Sequence, residues 1–338
     1  MVSLGPIDKL KTRDIVRRFC MRMKRSFCFS ICIVILAVIF AACNSSTKKG
    51  NAETPTSGLI KISADQTFEP IIEQEIDVFE GLYPNANIIP VYADEVDVIT
   101  ALIQDSVRLA VTTRKLSPKE VSVLNARKLF PKEVKIATDG IAFIVNKENP
   151  DTLITIDQLR RILTGEVTEW SQVYPESKLG KLQLVFDNPN SSTVRFAIDS
   201  ICAGKPLSKN LNAQDNNENV IDYVSEVPNA IGVIGASWIG NKNDSTRLSF
   251  SDKISVMGVS RDDVAFPSNS YQPYQAYLAM GLYPLTRDVY IITTDPKSGL
   301  PSGFTTFVSS DKGQRIILKT GIVPATQAIR IVNVRENL

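Results

Sequence analysis

The chain has 338 residues, 43% of them apolar and 22% charged, with a formal net charge of +2 and no histidine. That length and apolar content allow one large core or two lobes of ordinary domain size, and exclude a disordered chain. The missing histidine removes Ser–His and Cys–His nucleophile pairs and His-based zinc or iron sites, so only carboxylate or lysine chemistry stays open to an enzyme.

Charge is unevenly spread along the sequence. Residues 1–42 hold eight of the 38 Lys and Arg and two of the 36 Asp and Glu, which leaves 30 basic against 34 acidic residues elsewhere. A remainder of that sign lacks the basic surface that nucleic acid requires, and no nucleic-acid partner is expected. At positions 28–43 the run CFSICIVILAVIFAAC follows MRMKRS and ends on Ala41-Ala42-Cys43. It is shorter than the ~20 residues of a membrane-spanning helix and has the layout of a signal peptide; an uncleaved anchor helix is the alternative. The closing triplet resembles the lipobox of bacterial lipoproteins, with Phe40 where leucine is commoner. Residues 1–42 are therefore the expected signal peptide, Cys43 the expected lipidated first residue of the mature chain, and the residues before Met21 or Met23 an over-long start. Cys20, Cys28 and Cys32 leave with the signal and Cys43 is acylated, so only Cys202 remains and no internal disulfide is expected.

Residues 43–58, mostly small and polar, read as a flexible tether. The folded part begins with LIKIS (59–63), a strand, followed by IIEQEIDVFEGLYP, whose Ile72, Ile76 and Phe79 fall at helical spacing before Pro84. NIIPVYA is a second strand, EVDVITALIQDS an amphipathic helix, VRLAVTT (107–113) a third strand, and LSPKEVSVLNARKL a helix with Pro118 in its first turn. VKIATDGIAFIVNKENP (134–150) gives two closely spaced strands. TIDQLRRILTGEVTEWSQV is a helix opened by a Thr155–Gln158 capping box and closed by Gly165. KLQLVF is a strand running into FDNPNSSTVRF (186–196), and STVRFAIDSICAG is a helix that ends at Gly204. NVIDYVSEVPNAIGVIGASWIG is a helix and a glycine-rich strand-turn, KISVMGV and VYIITTD are late strands, and SGFTTFVSSDKGQRIILKTG is one long helix.

Strands that alternate with helices predict an α/β fold with a mainly parallel sheet, in which ligands sit where strand ends lead into helices. The loops Asp65–Phe68, Asp94–Asp97 and Thr112–Lys115 are the first candidates. In FDNPNSSTVRF, Ser191, Ser192 and Thr193 precede a helix: one hydroxyl suffices for a cap, and three suggest a seat for an anion, with plain capping as the alternative. Trp170 and Trp238 read as packing residues. The acids at 94–97 read as favourable partners of a helix start rather than as a metal site.

Several segments together resemble the PstS family, the substrate-binding proteins of bacterial ABC phosphate importers. DGIAFIVNKENP with LITIDQLRRILTGEVTEWSQV, then PNAIGVIGASWI, YPLTRDVYI and FTTFVSSDKGQRIILKTGIVPAT match its signatures in order over about residues 59–327. The resemblance implies a two-lobed, type II periplasmic-binding-protein fold with hinge crossover strands near 139–141 and 257–259. Lobe one would be 59–138 plus 260–338, and lobe two 139–259. It further implies ligand contacts from Thr67, Phe68, Thr113, Arg114, Ser191, Ser192 and Thr193, with Arg195 as an additional candidate. Asp187 stands where the family has a phosphate-clamping arginine, and Asp94-Glu95-Val96-Asp97 replaces a Gly-Ser-Gly-Gly loop. The function so implied is non-enzymatic. A monomer without cofactor or metal, lipid-anchored on the periplasmic side of a bacterial membrane, captures an oxyanion, phosphate first, by hinge closure and passes it to ABC permease subunits. A binding-deficient relative acting as sensor or scaffold is the alternative.

Overall fold

Apolar alternation at period two and amphipathic stretches at period 3.6 set the order of elements. The computed structural model describes residues 53–240, 249–295 and 298–328; the signal peptide, Cys43 and the tether up to Ala52 lie outside the described residues. β1 (Gly58–Asp65) leads through a tight turn into α1 (Glu69–Leu82), which Pro70 opens; β2 (Ala86–Ala93), α2 (Glu95–Ile103) and β3 (Leu109–Thr112) follow. α3 (Pro118–Ala126) starts on a capping box of Ser117 and Glu120, and β4 (Lys132–Asn146) comes next. After β5 (Leu153–Thr155), α4 (Ile156–Leu163) opens on the Thr155–Gln158 capping box read from the sequence. β6 (Gln183–Phe186) feeds α5 (Ser192–Phe196), which continues as a wider turn over Ala197–Ile201 and stops where Ala203 and Gly204 take positive φ. Then come β7 (Leu211–Ala213), α6 (Asn217–Glu226), β8 (Ala230–Gly235), β9 (Ile254–Val256), β10 (Gly258–Ser260), β11 (Ser270–Tyr271), α7 (Gln275–Ala279), β12 (Thr286–Thr293), α8 (Leu300–Val308), α9 (Asp311–Lys319) and β13 (Val323–Pro324).

The main strands run in the order β2-β1-β3-β12-β4-β8-β6-β7, with β9 and β13 also on β4. β1 is parallel to β2 and β3, and β6 to β8 and β7, while β12 is antiparallel to both β3 and β4. The hinge is β4 itself. Up to Gly140 it pairs with β12, and from Ile141 to Val145 with β8, so one strand serves both lobes. The sequence predicts two closely spaced strands here. The chain stays extended instead: Asp139 is neutralised by Arg287, and a Cβ on Gly140 would stand 2.8 Å from Leu278 Cδ2, so the strand is packed tightly at that point.

Each lobe has its own core. Ile62, Phe68, Ile72, Phe79, Leu109 and Phe304 pack in lobe one, and Phe143, Leu159, Trp170, Phe186, Met257 and Tyr283 in lobe two. The chain rejoins lobe one at β12 rather than at 260, because Leu278, Tyr283 and Leu285 are buried in the lobe-two core. The expected single helix over SGFTTFVSSDKGQRIILKTG is two helices, α8 and α9, broken at Ser309-Ser310. A Cβ on Gly313 would stand 2.5 Å from Val308 Cα, so the second helix folds back tightly on the end of the first. Among the described residues no helix is long and apolar enough to cross a membrane.

Candidate functional site

Three strand-to-helix loops meet along the seam between the lobes, and their sequences determine what each contributes. β1 ends on Asp65, whose carboxylate accepts from Thr67 N at 2.9 Å and so fixes the turn that buries Thr67 and Phe68. The Thr67 hydroxyl is buried without a hydrogen-bond partner among the described residues. The Thr67 carbonyl accepts from Trp238 Nε1 of lobe two at 2.7 Å, so Trp238 does more than pack. Beside it a Cβ on Gly235 would stand 2.5 Å from Thr67 Cγ2 and 3.4 Å from Arg287 Nη2, so the end of β8 comes closer to lobe one than an alanine allows.

From lobe two, Ser191 caps α5, accepting from Val194 N at 3.2 Å. Its hydroxyl and that of Thr193 each lie 2.6 Å from Asp187 Oδ1 and 2.6 Å from one another, a buried triangle of three oxygens. Ser192 turns the other way. Its Oγ accepts from Arg287 Nη1 at 2.8 Å. Arg287 lies on β12 of lobe one, buried, with Nε and Nη2 each 3.0 Å from Asp139 Oδ2 and its guanidinium 5.4 Å from the Phe68 ring.

The third loop carries the acid cluster. Asp94 caps α2 through its backbone alone, and Glu95 turns inward, where its carboxylate accepts from Thr113 N at 2.8 Å, Thr113 Oγ1 at 2.7 Å and Thr112 Oγ1 at 3.1 Å. Arg195 reaches it across the seam, Nε to Oε2 at 2.5 Å, and also donates to Thr113 Oγ1 at 2.7 Å. Glu95 is thus an ion-pair partner at the seam rather than a mere companion of the helix start.

The electrostatics follow from burial and from these partners. Burial pushes the Asp65 carboxyl up to about 6, although Arg287 and the Ser192 hydroxyl pull the other way. Asp187 and Asp139 are raised for the same first reason, desolvation, against donors and the Arg287 charge. Burial would also raise Glu95, but Arg195 and the Thr113 donors outweigh it and hold the carboxyl below its ordinary value.

Of the residues expected to form the site, Thr67, Phe68, Thr113, Ser191, Ser192, Thr193 and Arg195 come together along the seam. Arg114 does not join them: its guanidinium forks onto Glu120, with both contacts at 2.8 Å, and donates to the Lys115 carbonyl. Asp65 lay in the expected Asp65–Phe68 loop without being among the expected contacts, and Asp139 and Arg287 were missed by sequence reasoning. The signal for Arg287 was a lone cation in register with the inward-facing Val289 and Ile291 of β12, inside the YPLTRDVYI segment.

A model described as "PBP superfamily domain" matches residues 49–312. The chain belongs to the PBP superfamily. Among PBP-superfamily relatives, the phosphate-binding protein PstS of Pseudomonas aeruginosa is 24% identical over 331 residues, 93% of this chain and 98% of that protein. PstS of Bacillus subtilis is 21% identical, covering 90% of this chain and 95% of that one. A Clostridium perfringens protein solved with bound phosphate superposes with a TM-score of 0.67 at 22% identity, covering 80% of this chain and all of that one. An ABC-type phosphate transport receptor from Vibrio cholerae gives 0.61 at 20% identity, with 79% of this chain covered and 100% of that one. The expected PstS-like resemblance and the two-lobed α/β fold are both borne out. Within that fold, this PBP-superfamily chain lines its seam with four buried carboxylates, Asp65, Glu95, Asp139 and Asp187, facing the two arginines Arg195 and Arg287.

Proposed function

We propose that the protein is a substrate-binding component of an ABC importer that holds a small oxyanion, phosphate first, at the seam between its lobes. The observation that carries this reading is the buried Arg287 guanidinium of lobe one, which donates to the Ser192 hydroxyl of lobe two beside the orphan Thr67 hydroxyl. Donors from both lobes that converge on one point reward a ligand that bridges them, which is the physical requirement for hinge closure on binding. Thr67, Phe68, Thr113, Ser191, Ser192 and Thr193 are the contacts we assign, with Arg195 and Arg287 supplying the positive charge. Closure with ligand presents a defined surface to permease subunits. Cys43, lipidated, tethers a monomer to the periplasmic side of the membrane.

One observation favours a second reading, a sensor or scaffold that binds no anion: Asp187 and Glu95 already take donors that a ligand would need. Calorimetric titration of the purified protein separates the two. Heat with phosphate supports capture. Silence at millimolar phosphate, arsenate and sulfate gives the site to the scaffold.

A further inference from the structure

The triangle of Asp187 Oδ1, Ser191 Oγ and Thr193 Oγ1 has three edges of 2.6 Å, and the two hydroxyls bring only two protons. All three oxygens are buried. Two of the three hydroxyls ahead of α5 therefore face an acceptor supplied by the chain itself. A carboxylate oxygen that accepts two hydroxyl donors does what one oxygen of a bound oxyanion does. We propose that the Asp187 carboxylate is an internal occupant of the oxyanion cradle, and that a ligand gains the Ser191 and Thr193 donors only when Asp187 is displaced or neutralised. Asp187 then sets the affinity of the site. This inference rests on the oxyanion reading of the same seam.

The chemistry of the surroundings gives the conditions under which the occupant yields. Asp187 follows β6 and faces Ser191 and Thr193 on α5, the Arg287 guanidinium on β12 and the Asp94 carboxylate at the start of α2. The Asp187 charge acts on Asp94, so the two carboxylates lie close enough to repel. An incoming anion adds its charge to both. With effective dielectric near that of a protein surface, like charges a few ångströms apart oppose binding by more than tenfold, and neutralising Asp187 removes one such pair. Burial disfavours the Asp187 charge in any case, so a proton is the least disruptive means of removing it. The site therefore favours ligand under acid conditions, and ligand binding takes up a proton.

Asp187→Asn keeps an acceptor for the two hydroxyls and removes the charge. Calorimetry with phosphate at about pH 7.5 is expected to show the variant binding about tenfold tighter than the wild type, or binding where the wild type is silent. On acidification to about pH 5.5 the wild type gains affinity relative to Asp187→Asn, a comparison in which the protonation of phosphate itself cancels. Equal or weaker binding by Asp187→Asn, with phosphate bound by the wild type, overturns the internal-occupant proposal and leaves the oxyanion reading standing. Silence of both proteins toward phosphate and sulfate at both pH values removes the oxyanion reading and this proposal with it. Should Asp187→Asn fail to fold, Asp187→Ser, which removes the carboxylate and keeps a small hydroxyl, takes its place. Phosphate or sulfate bound about tenfold more tightly than by the wild type supports the proposal, and equal or weaker binding overturns it.

Discussion

Arg195 on the helix after β6 and Glu95 at the start of α2 join the two lobes through one ion pair, Nε to Oε2 at 2.5 Å, at a point where the glutamate is buried and the arginine partly exposed. The glutamate end of the pair is held by three donors from Thr112 and Thr113, so the loop after β3, the acid cluster and the lobe-two helix are fixed to one another. A substrate-binding protein that closes on its ligand must set such a contact against the freedom of its hinge.

Arg195→Ala removes the only partner of Glu95 that comes from the other lobe among its described contacts, while the threonine donors stay. The expected cost is about 1–3 kcal/mol, the scale for depriving a buried acceptor of a charged donor. The more telling readout is shape: the radius of gyration in solution scattering should increase, since a tie across the seam is gone. An unchanged scattering profile together with an unchanged melting temperature would show that the pair does not hold the lobes together.

Arg287 and Asp139 form a second ion pair at the seam, and both are almost wholly buried. Arg287→Met leaves Asp139 charged and alone in the interior, a situation that costs about 3–5 kcal/mol. Pairing the change with Asp139→Asn should recover a substantial part of that loss in a denaturant titration, because no uncompensated charge remains. If the single and double variants melt together, desolvation of Asp139 is not what the arginine offsets.

Glu75 gives a pH prediction with a definite sign. It sits on the buried face of α1 with both carboxylate oxygens unpartnered among the described residues, and burial raises its carboxyl to about 9. Its folded-state value lies above the unfolded one, so the folded chain binds the proton more tightly. The stability it contributes is complete below the ordinary glutamate range and is lost as pH rises from about 4.5 toward about 9, at up to about 1.4 kcal/mol per pH unit. Glu75→Gln should flatten that slope and raise the melting temperature at about pH 8. Parallel pH profiles of wild type and variant would refute the assignment.

How much of this was legible beforehand depends on how local the cause was. The Thr155–Gln158 capping box, Pro118 in the first turn of α3 and the glycine stop at Gly204 depend on residues within a turn of each other, and the sequence names them directly. β4 misled because Asp139-Gly140 has turn chemistry. Arg287, about 150 positions later, makes it a strand, a partner that no local window contains. The break between α8 and α9 is local by contrast: Gly313 meets Val308 five residues back, and helical spacing on both sides of Ser309-Ser310 hides the turn between them. At the site, three hydroxyls were visible as a motif, but which acceptor they face was not. Asp187, visible as a departure from the family pattern, is the partner of two of them, Ser191 and Thr193.

The anchor is testable on sequence grounds alone, since Cys43 lies outside the described residues. Cys43→Ala should abolish lipidation, so that the protein either appears in a soluble fraction or keeps its unprocessed signal. Membrane partitioning that is unchanged, with the N-terminus cut at another residue, would refute lipidation at Cys43.

Gly235 tests the closeness of the seam itself. Its φ of −70° is open to any residue, so backbone freedom is not why glycine stands there. Space is: the added methyl would sit 2.5 Å from Thr67 Cγ2, and Thr67 is buried and held through its carbonyl by Trp238. Neither side moves without cost, because the methyl group that must shift belongs to a packed residue rather than to the end of a flexible chain. Gly235→Ala should therefore cost about 1–3 kcal/mol, as overpacking does, or relieve itself by separating the lobes. The two outcomes are distinguishable. A lowered melting temperature with the wild-type scattering profile marks strain borne in a closed molecule, whereas an enlarged radius of gyration with restored stability marks lobes pushed apart. Under the second outcome Trp238 fluorescence shifts toward the red, as its indole loses the Thr67 carbonyl and gains water. A variant that matches the wild type in melting, scattering and fluorescence would mean that the lobes do not approach each other this closely in solution.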